Sequence, residues 1–433
     1  MPHWTGKTSS CERNEELSPY QKDTLFRCYE LPQLRTPLAE RSRACTSVGA
    51  PFRVAPVRAL AVGRMAMSPP IVETIRSHHA LRGVAALLVL LFHFRDVTPS
   101  IGQAFDAHTA FFPTGFIWLD SLFMLSGFVL SHVYGATMTG AAVARAPAIQ
   151  RFYLARFARI YPLHLATLLA LVAVELSTYV LRPAIADALT GERKTWGSIL
   201  QHLTLTHSWL TAGCLVWNVS SRSISTEAYA YLLVPVLLPL VDHDRWAVRA
   251  LLPVVGVAIY VHTFSNFPNV EGRQSLARCI EGFSTGILVH RVWLRKVGWM
   301  APVAAPAQLA TVVVALAALY QGWNQALVLV GLAALILATP DDRGPLSRAQ
   351  ALRPLLLLGT LSYSLYMTHW IVYRLYWMFG ECEFSDLASR HSAVNVYILK
   401  VFVLLVLTAT LSLLTYHKIE FPTHRQFSRL LAR

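Results

Sequence analysis

An arginine and a histidine stand eleven positions apart in an otherwise apolar stretch of the chain, as Arg82 and His93. On an α-helix they would lie about 16 Å apart along the axis. An ionisable group in such a stretch is costly, so it is usually paired, faces a cavity or serves in function. A neutral imidazole can take the proton of a hydroxyl group before its oxygen attacks a carbonyl. We therefore predict that His93 is a catalytic base; the alternative is a packing histidine bonded to a neighbouring helix.

Two further arginines, Arg156 and Arg159, stand three positions apart at the start of the third apolar run. Residues at this spacing share one face of a helix. Guanidinium groups bind phosphate well, because their N–H donors match its oxygens in pairs. We predict that these residues form a cationic patch with Arg82. The alternative is that they are ordinary positively charged membrane anchors.

A carboxylate, Glu227, stands where a serine-rich segment becomes apolar. It could orient an imidazolium, bind sugar hydroxyls, or cap a helix behind Ser223 or Ser225. We predict a catalytic role for Glu227 and substrate binding for Ser225. Helix capping is the alternative for this segment.

Two weaker candidates lie in other apolar runs. Asp120 is a second carboxylate at membrane depth, and His369 ends the run 358–369 of small and polar residues. Ionisable residues inside membranes are often functional, whereas small and polar side chains there more often serve helix packing. We predict that Asp120 and His369 bind substrate, with packing as the alternative.

Membrane helices must position these residues, because 54% of the chain is apolar and only 14% is charged. Such a composition exceeds that of an ordinary soluble protein. We predict an all-α, polytopic integral membrane protein with about ten transmembrane helices. The predicted spans are residues 80–94, 115–134, 160–180, 227–241, 247–263, 279–290, 298–320, 324–339, 354–378 and 394–417.

The charge of the loops predicts the orientation of these spans. With the N-terminus inside, the inner segments contain 15 Lys and Arg in 68 residues, against 8 in 99 residues for the outer segments. The positive-inside rule then places both termini in the cytoplasm. We interpret the net charge of +14 as a topology signal and expect no nucleic acid as a partner.

A single membrane domain is predicted over residues 67–425, followed by a short cytoplasmic tail, 426–433. Residues 1–66 are polar and basic, and they lack both a helical period and a signal-peptide core. We predict that this extension is disordered. One hypothesis is that translation starts at Met65 or Met67 and that the gene prediction is too long.

No cofactor or metal pattern is found in the sequence. The six cysteines form no C-x-x-C pair and have no histidine spacing suited to zinc or haem. A nucleophile elbow, a P-loop and a dinucleotide fingerprint are also missing. We predict that no metal or cofactor is bound.

Taken together, these segments resemble the membrane acyltransferase-3 family over roughly residues 78–425. Arg82-x10-His93 is similar to the family's Arg/Lys-to-His motif, and Arg156-x-x-Arg159 to its RxxR entry. Other similar segments are 119–128 (VDLFFVLSGF), 223–227 (SLSVE), 358–369 (LGxxSYSLYxxH) and 420–422 (ExP). The chain departs from the family at Arg222, where an aromatic residue is usual, and we expect a stand-alone form without a hydrolase-like domain.

The resemblance implies an acyl-CoA donor, commonly acetyl-CoA, engaged from the cytoplasm, and a hydroxyl acceptor at or beyond the outer leaflet of a bacterial inner membrane. Arg82, Arg156 and Arg159 would hold the phosphates of the donor. His93 would act as general base or as transient acyl carrier, and Glu227 would assist at the acceptor side. The expected reaction is O-acylation of a glycan or glycoside.

The rival hypothesis is a transporter or flippase of a sugar-like or lipid-linked substrate. Buried polar residues in ten spans would also suit a substrate pathway. No internal repeat relates the two halves of the chain, and the polar residues concentrate in the first four spans. The acyltransferase is therefore the favoured prediction.

Overall fold

The structure is a computed structural model that describes residues 75–112, 114–139, 142–181, 195–209, 217–242, 273–296, 304–322, 325–341 and 344–431. Within these ranges the chain is helical and contains no strand, which confirms the all-α prediction. The predicted disordered extension, 1–66, and the predicted span 247–263 lie outside the described residues.

The first helices of the described ranges are α1 (Arg76–Phe94), α2 (Pro99–His108), α3 (Ile117–Thr139), α4 (Ala142–Leu181), α5 (Trp196–Leu203), α6 (Ser221–Asp242) and α7 (Arg273–Lys296). The later helices are α8 (Ala304–Gln321), α9 (Gln325–Ala338), α10 (Pro345–Gln350), α11 (Arg353–Leu375), α12 (Glu381–Arg390), α13 (Ala393–Thr415) and α14 (Phe421–Leu431). A 3₁₀ turn, Arg95–Val97, follows α1, and π-helical turns follow α11 and α13 at Tyr376–Gly380 and Tyr416–Glu420.

Five of the described helices are long and apolar enough to cross a membrane. They cover Ile117–Thr139, Ala146–Leu181, Ser221–Leu240, Arg353–Gly380 and Ala393–Leu430. Other predicted spans coincide with α1, α7, α8 and α9, whose described parts do not meet all criteria of length, hydropathy and charge. The protein is thus an integral membrane protein by these helices, and the count of about ten spans stays a prediction.

The bundle is apolar outside and polar inside. Large apolar side chains of the membrane helices are exposed, among them Val180, Val236, Val330 and Phe402. Many histidine, arginine and carboxylate side chains are buried between helices instead. A lipid environment explains this pattern, since lipid solvates an apolar surface and leaves polar groups to find partners inside.

Two helix crossings bring backbones so close that only glycine fits. A Cβ on Gly83 of α1 would lie 2.4 Å from the backbone nitrogen of Gly359 in α11. A Cβ on Gly286 of α7 would lie 1.9 Å from the carbonyl oxygen of Met124 in α3. Small residues permit such approach in membrane bundles. The first crossing sets the position of α1 on α11, the pair that holds His93.

Candidate active site

His93 and His369 lie side by side in the buried interior. Helices α1 and α11 cross at Gly83 and Gly359, and each reaches its histidine ten residues later, so the two helices run parallel with the histidines in register. The imidazole centroids are 5.2 Å apart with 29° between the rings. The edge of Trp370 packs against His93 at 5.6 Å. The structure therefore joins the predicted catalytic residue to a residue predicted for substrate binding.

The tautomer of His369 follows from its hydrogen bond. Its Nδ1 lies 2.5 Å from the carbonyl oxygen of Tyr366, and a carbonyl only accepts, so Nδ1 carries the hydrogen. In the neutral ring Nε2 then presents a lone pair. His369 is completely buried, and this Nε2 has no hydrogen-bond partner in the described part of the chain.

Tyr366 fastens the histidine pair to the start of α6. Its hydroxyl donates to the carbonyl oxygen of Ser220 at 2.8 Å and lies 3.3 Å from the Ser223 hydroxyl. Ser223 is one helical turn before Glu227. The segment predicted to follow the serine-rich stretch thus reaches the histidines through Tyr366.

Glu227 is completely buried in the middle of the bundle. Its Oε1 accepts hydrogen bonds from the Tyr231 hydroxyl and, at 3.4 Å, from the Ser126 hydroxyl. Ser126 also lines the cavity of Arg82. Glu227 therefore lies between the histidine pair and Arg82, rather than at the outer end of the site.

Arg82 marks the other end of the site, eleven residues from His93 on α1. Its Nη2 lies 3.1 Å from Nδ1 of His79. Arg82, His78 and Ser126 line a cavity of about 10 Å³, together with Leu125 and Val129. A cavity of this size has room for about one water molecule.

Arg156 belongs to the same end of the site. Its guanidinium lies over the rings of Tyr134 and Tyr231, 5.7 Å and 5.9 Å from their centroids. Such contacts hold a cation against an aromatic face. Because Tyr231 donates to Glu227, one tyrosine joins the arginine to the carboxylate.

Arg159, one turn along α4, has a different environment. Its Nη1 lies 3.5 Å from Oε1 of Glu420, and the Ser364 hydroxyl donates to Oε2 of that glutamate at 2.6 Å. Both charged side chains are buried. Arg159 thus forms an ion pair between α4 and the turn before α14, a contact not expected for a donor-binding arginine.

Asp120 and Ser225 make bonds that hold helices together. Both carboxylate oxygens of Asp120 accept from Arg278, at 3.1 Å and 2.6 Å. The Ser225 hydroxyl donates to the Leu205 carbonyl at 2.6 Å and accepts from the Ser208 backbone N–H at 3.1 Å. The described structure does not bring either residue to the histidine pair through these contacts, and their predicted substrate binding stays a prediction.

Three residues of the site were missed by the sequence analysis: Tyr231, Tyr366 and Ser126. Tyr231 follows Glu227 by four residues, and Tyr366 precedes His369 by three, which places each pair on one helix face. That spacing was a usable signal. Ser126 has no local signal, because its partner Glu227 lies on another helix.

No group of three or more His, Cys, Asp or Glu side chains with the geometry for a metal ion is found among the described residues. The site is built from side chains that bind protons, phosphates and hydroxyl groups. It contains paired imidazoles at one end, two arginines at the other and a buried carboxylate between them.

Comparison with known proteins agrees with these features. The family model Acyl_transf_3, described as an acyltransferase domain, matches residues 76–417. Acyltransferase MdmB of Streptomyces mycarofaciens is 30% identical over 179 residues, which cover 40% of this chain and 41% of that protein. Protein 2 in the picA locus of Rhizobium radiobacter is 35% identical over 117 residues, 27% of this chain and 53% of that protein. The aligned parts thus span about half or less of these relatives, and no solved structure matches the chain significantly.

Proposed function

We propose that this chain, which belongs to the Acyl_transf_3 family of acyltransferases, transfers an acyl group from acyl-CoA to a hydroxyl group of a glycan or glycoside. Acetyl is the acyl group to test first. The family membership confirms the resemblance in the sequence. The donor, the acceptor and the residue roles below are the proposal.

The observation that supports this proposal most directly is the arrangement of charges and bases along α1. A buried histidine pair lies at one end, and Arg82 and Arg156 lie at the other, about 16 Å away for the eleven residues between Arg82 and His93. Acyl-CoA has the same division, because a long pantetheine arm separates its phosphates from its thioester. A donor bound along this path would place its thioester near His93.

In this scheme the arginines bind the donor's phosphates. Guanidinium groups suit phosphate because they stay charged and offer paired donors. Arg82 and Arg156 carry this role, while Arg159 holds Glu420 and keeps the start of α4 in place. We propose that the arginine end faces the cytoplasm, where acyl-CoA is found, and that both termini lie there in a bacterial inner membrane.

His93 supplies the chemistry at the thioester, as general base or as acyl carrier. A hydroxyl group is a poor nucleophile until a base takes its proton, and an imidazole is the side chain best matched to that task near neutral pH. Glu227 holds Tyr231 and Ser126 in position along the path. Removal of its charge would loosen the arginine end as well as the acceptor side.

The test is transfer of labelled acetyl from acetyl-CoA in membranes that contain the wild-type protein or His93→Ala, followed by extraction of glycans and small molecules. His391→Ala is a matched control, since His391 is exposed outside the site. Label in an acceptor fraction with wild type and control, and its loss in His93→Ala, would support the proposal. No label with any protein, despite expression and a panel of acceptors and longer acyl-CoAs, would contradict it and favour a transporter.

A further inference from the structure

We infer that His369 is the second catalytic histidine of the proposed acyl transfer: His93 carries the acyl group, and Nε2 of His369 takes the proton of the acceptor hydroxyl. This inference rests on the proposed function and assigns the two chemical tasks to separate residues. It follows from the position, the tautomer and the burial of His369.

The first step of the argument is the position of the two rings. Their centroids are 5.2 Å apart, so an acyl group on one ring lies within reach of the other ring's edge. The register of α1 on α11 sets this distance, and Trp370 closes one side of His93. Two imidazoles packed this closely can act on the same carbonyl carbon in succession.

The second step is the unused lone pair. The Tyr366 carbonyl fixes the hydrogen of His369 on Nδ1, so Nε2 is an acceptor, and within the described residues it accepts from nothing. A buried acceptor without a donor costs about 1–3 kcal/mol. A hydroxyl group arriving with the substrate would satisfy this nitrogen and hand it a proton.

The third step is that His369 is held firmly in that orientation. Its backbone partner Tyr366 is itself bound through its hydroxyl to the Ser220 carbonyl and packs its ring 5.3 Å from the His369 ring. The histidine therefore cannot turn its Nε2 away without breaking these contacts. A general base needs this kind of fixed geometry toward the proton that it removes.

The reaction then has two balanced steps. In the first, a ring nitrogen of His93 attacks the thioester carbon, the carbon–sulfur bond breaks, and the CoA thiolate leaves with the proton that the ring loses. In the second, the acceptor oxygen attacks the acyl-imidazole while His369 takes its proton. The carbon–nitrogen bond breaks, and the proton passes from His369 to the nitrogen of His93 that the acyl group has left.

The experiment compares wild type with His369→Asn, whose amide can still donate to the Tyr366 carbonyl but cannot act as a base. Purified protein in detergent is mixed with labelled acetyl-CoA, with and without acceptor, and label on the protein and on the acceptor is followed with time. His391→Asn is the matched control at an exposed site. Monodisperse elution and the unfolding temperature check folding, and His369→Gln replaces His369→Asn if the latter misfolds.

The expected result is that acetyl forms on His93 in His369→Asn and accumulates there, while transfer to the acceptor falls about 10²–10⁴-fold. Hydroxylamine, a nucleophile that needs no base, should then discharge the acyl-enzyme at the wild-type rate. A folded His369 variant that transfers acetyl at the wild-type rate, or that forms no acyl-enzyme, would overturn the inference. Loss of transfer in wild type as well would instead contradict the proposed function, so the two failures differ.

Discussion

The guanidinium of Arg278 binds both carboxylate oxygens of Asp120, with Nε 3.1 Å from Oδ1 and Nη2 2.6 Å from Oδ2. Both side chains are buried where α3 and α7 cross. A bidentate pair of this kind is strong and directional. The carboxylate predicted to bind substrate therefore has a partner that the protein itself supplies.

We expect Asp120→Asn to lower the free energy of unfolding by about 3–5 kcal/mol, because it leaves the buried Arg278 charge uncompensated. Arg278→Gln should cost a similar amount for the opposite charge. The double variant should regain part of the loss, since neither charge remains. Thermal unfolding in detergent measures all three. An unchanged unfolding temperature with a raised KM for the acceptor would instead support the substrate-binding prediction.

Arg156 and Arg159 should respond differently to removal, although they lie one turn apart on α4. Arg156→Ala should raise the KM for acyl-CoA about 10- to 100-fold, since a charge-assisted bond to phosphate contributes about 1.5–3 kcal/mol. Arg159→Ala should mainly lower the unfolding temperature, because it strands the buried Glu420.

Donor titrations and unfolding curves on the same preparations check this difference. The double variant Arg159→Ala with Glu420→Gln should show a coupling energy of about 1–3 kcal/mol, as residues in contact do. Equal effects of Arg156→Ala and Arg159→Ala on the donor KM would restore the prediction from sequence that both arginines bind donor.

Long apolar runs explain why the helix positions could be predicted. The runs at 115–134 and 394–417 lie within α3 and α13, because a membrane segment states its character residue by residue. His93 could be singled out for the same reason, since it interrupts such a run. These predictions needed no knowledge of which helices meet.

Contacts between distant helices could not be predicted in this way. Ser225 and Glu227 are two residues apart, yet Ser225 bonds to Leu205 and Ser208 while Glu227 bonds to Ser126. Only the packing of α6 decides which of them faces the site. The pairing of Arg159 with Glu420 likewise depends on where the chain returns after α13, which no local pattern contains.

The α3–α7 crossing gives a direct test of the packing. Gly286→Ala should destabilise the protein by more than about 3 kcal/mol, since its Cβ would meet the Met124 carbonyl oxygen at 1.9 Å and backbone cannot yield easily. Gly135→Ala is the matched control in α3, where the Cβ would meet only Ser131 Oγ at 3.8 Å. That change should stabilise the helix by up to about 1 kcal/mol. Equal unfolding temperatures for the two variants would contradict the close crossing.

A stack of buried histidines outside the membrane helices predicts a loss of stability in acid. His202 and His207 stack with centroids 3.9 Å apart, where the segment 195–209 packs against α4 and α6. Burial lowers the pKa of His202 to about 4 and that of His207 well below its usual value, because the apolar surroundings disfavour the charged ring.

The direction of the effect follows from these shifts. A histidine whose pKa is lower in the folded state contributes its full stability above its unfolded pKa of about 6.5, and this stability is lost as pH falls toward 4. For His202 alone the difference amounts to about 3 kcal/mol. Hydrogen exchange of residues 195–209 between pH 7 and pH 4 should therefore accelerate, and His202→Gln should flatten that dependence while the exposed control His391→Gln leaves it unchanged. Protection that stays constant across this range in the wild type would show that the imidazoles are not held neutral by burial.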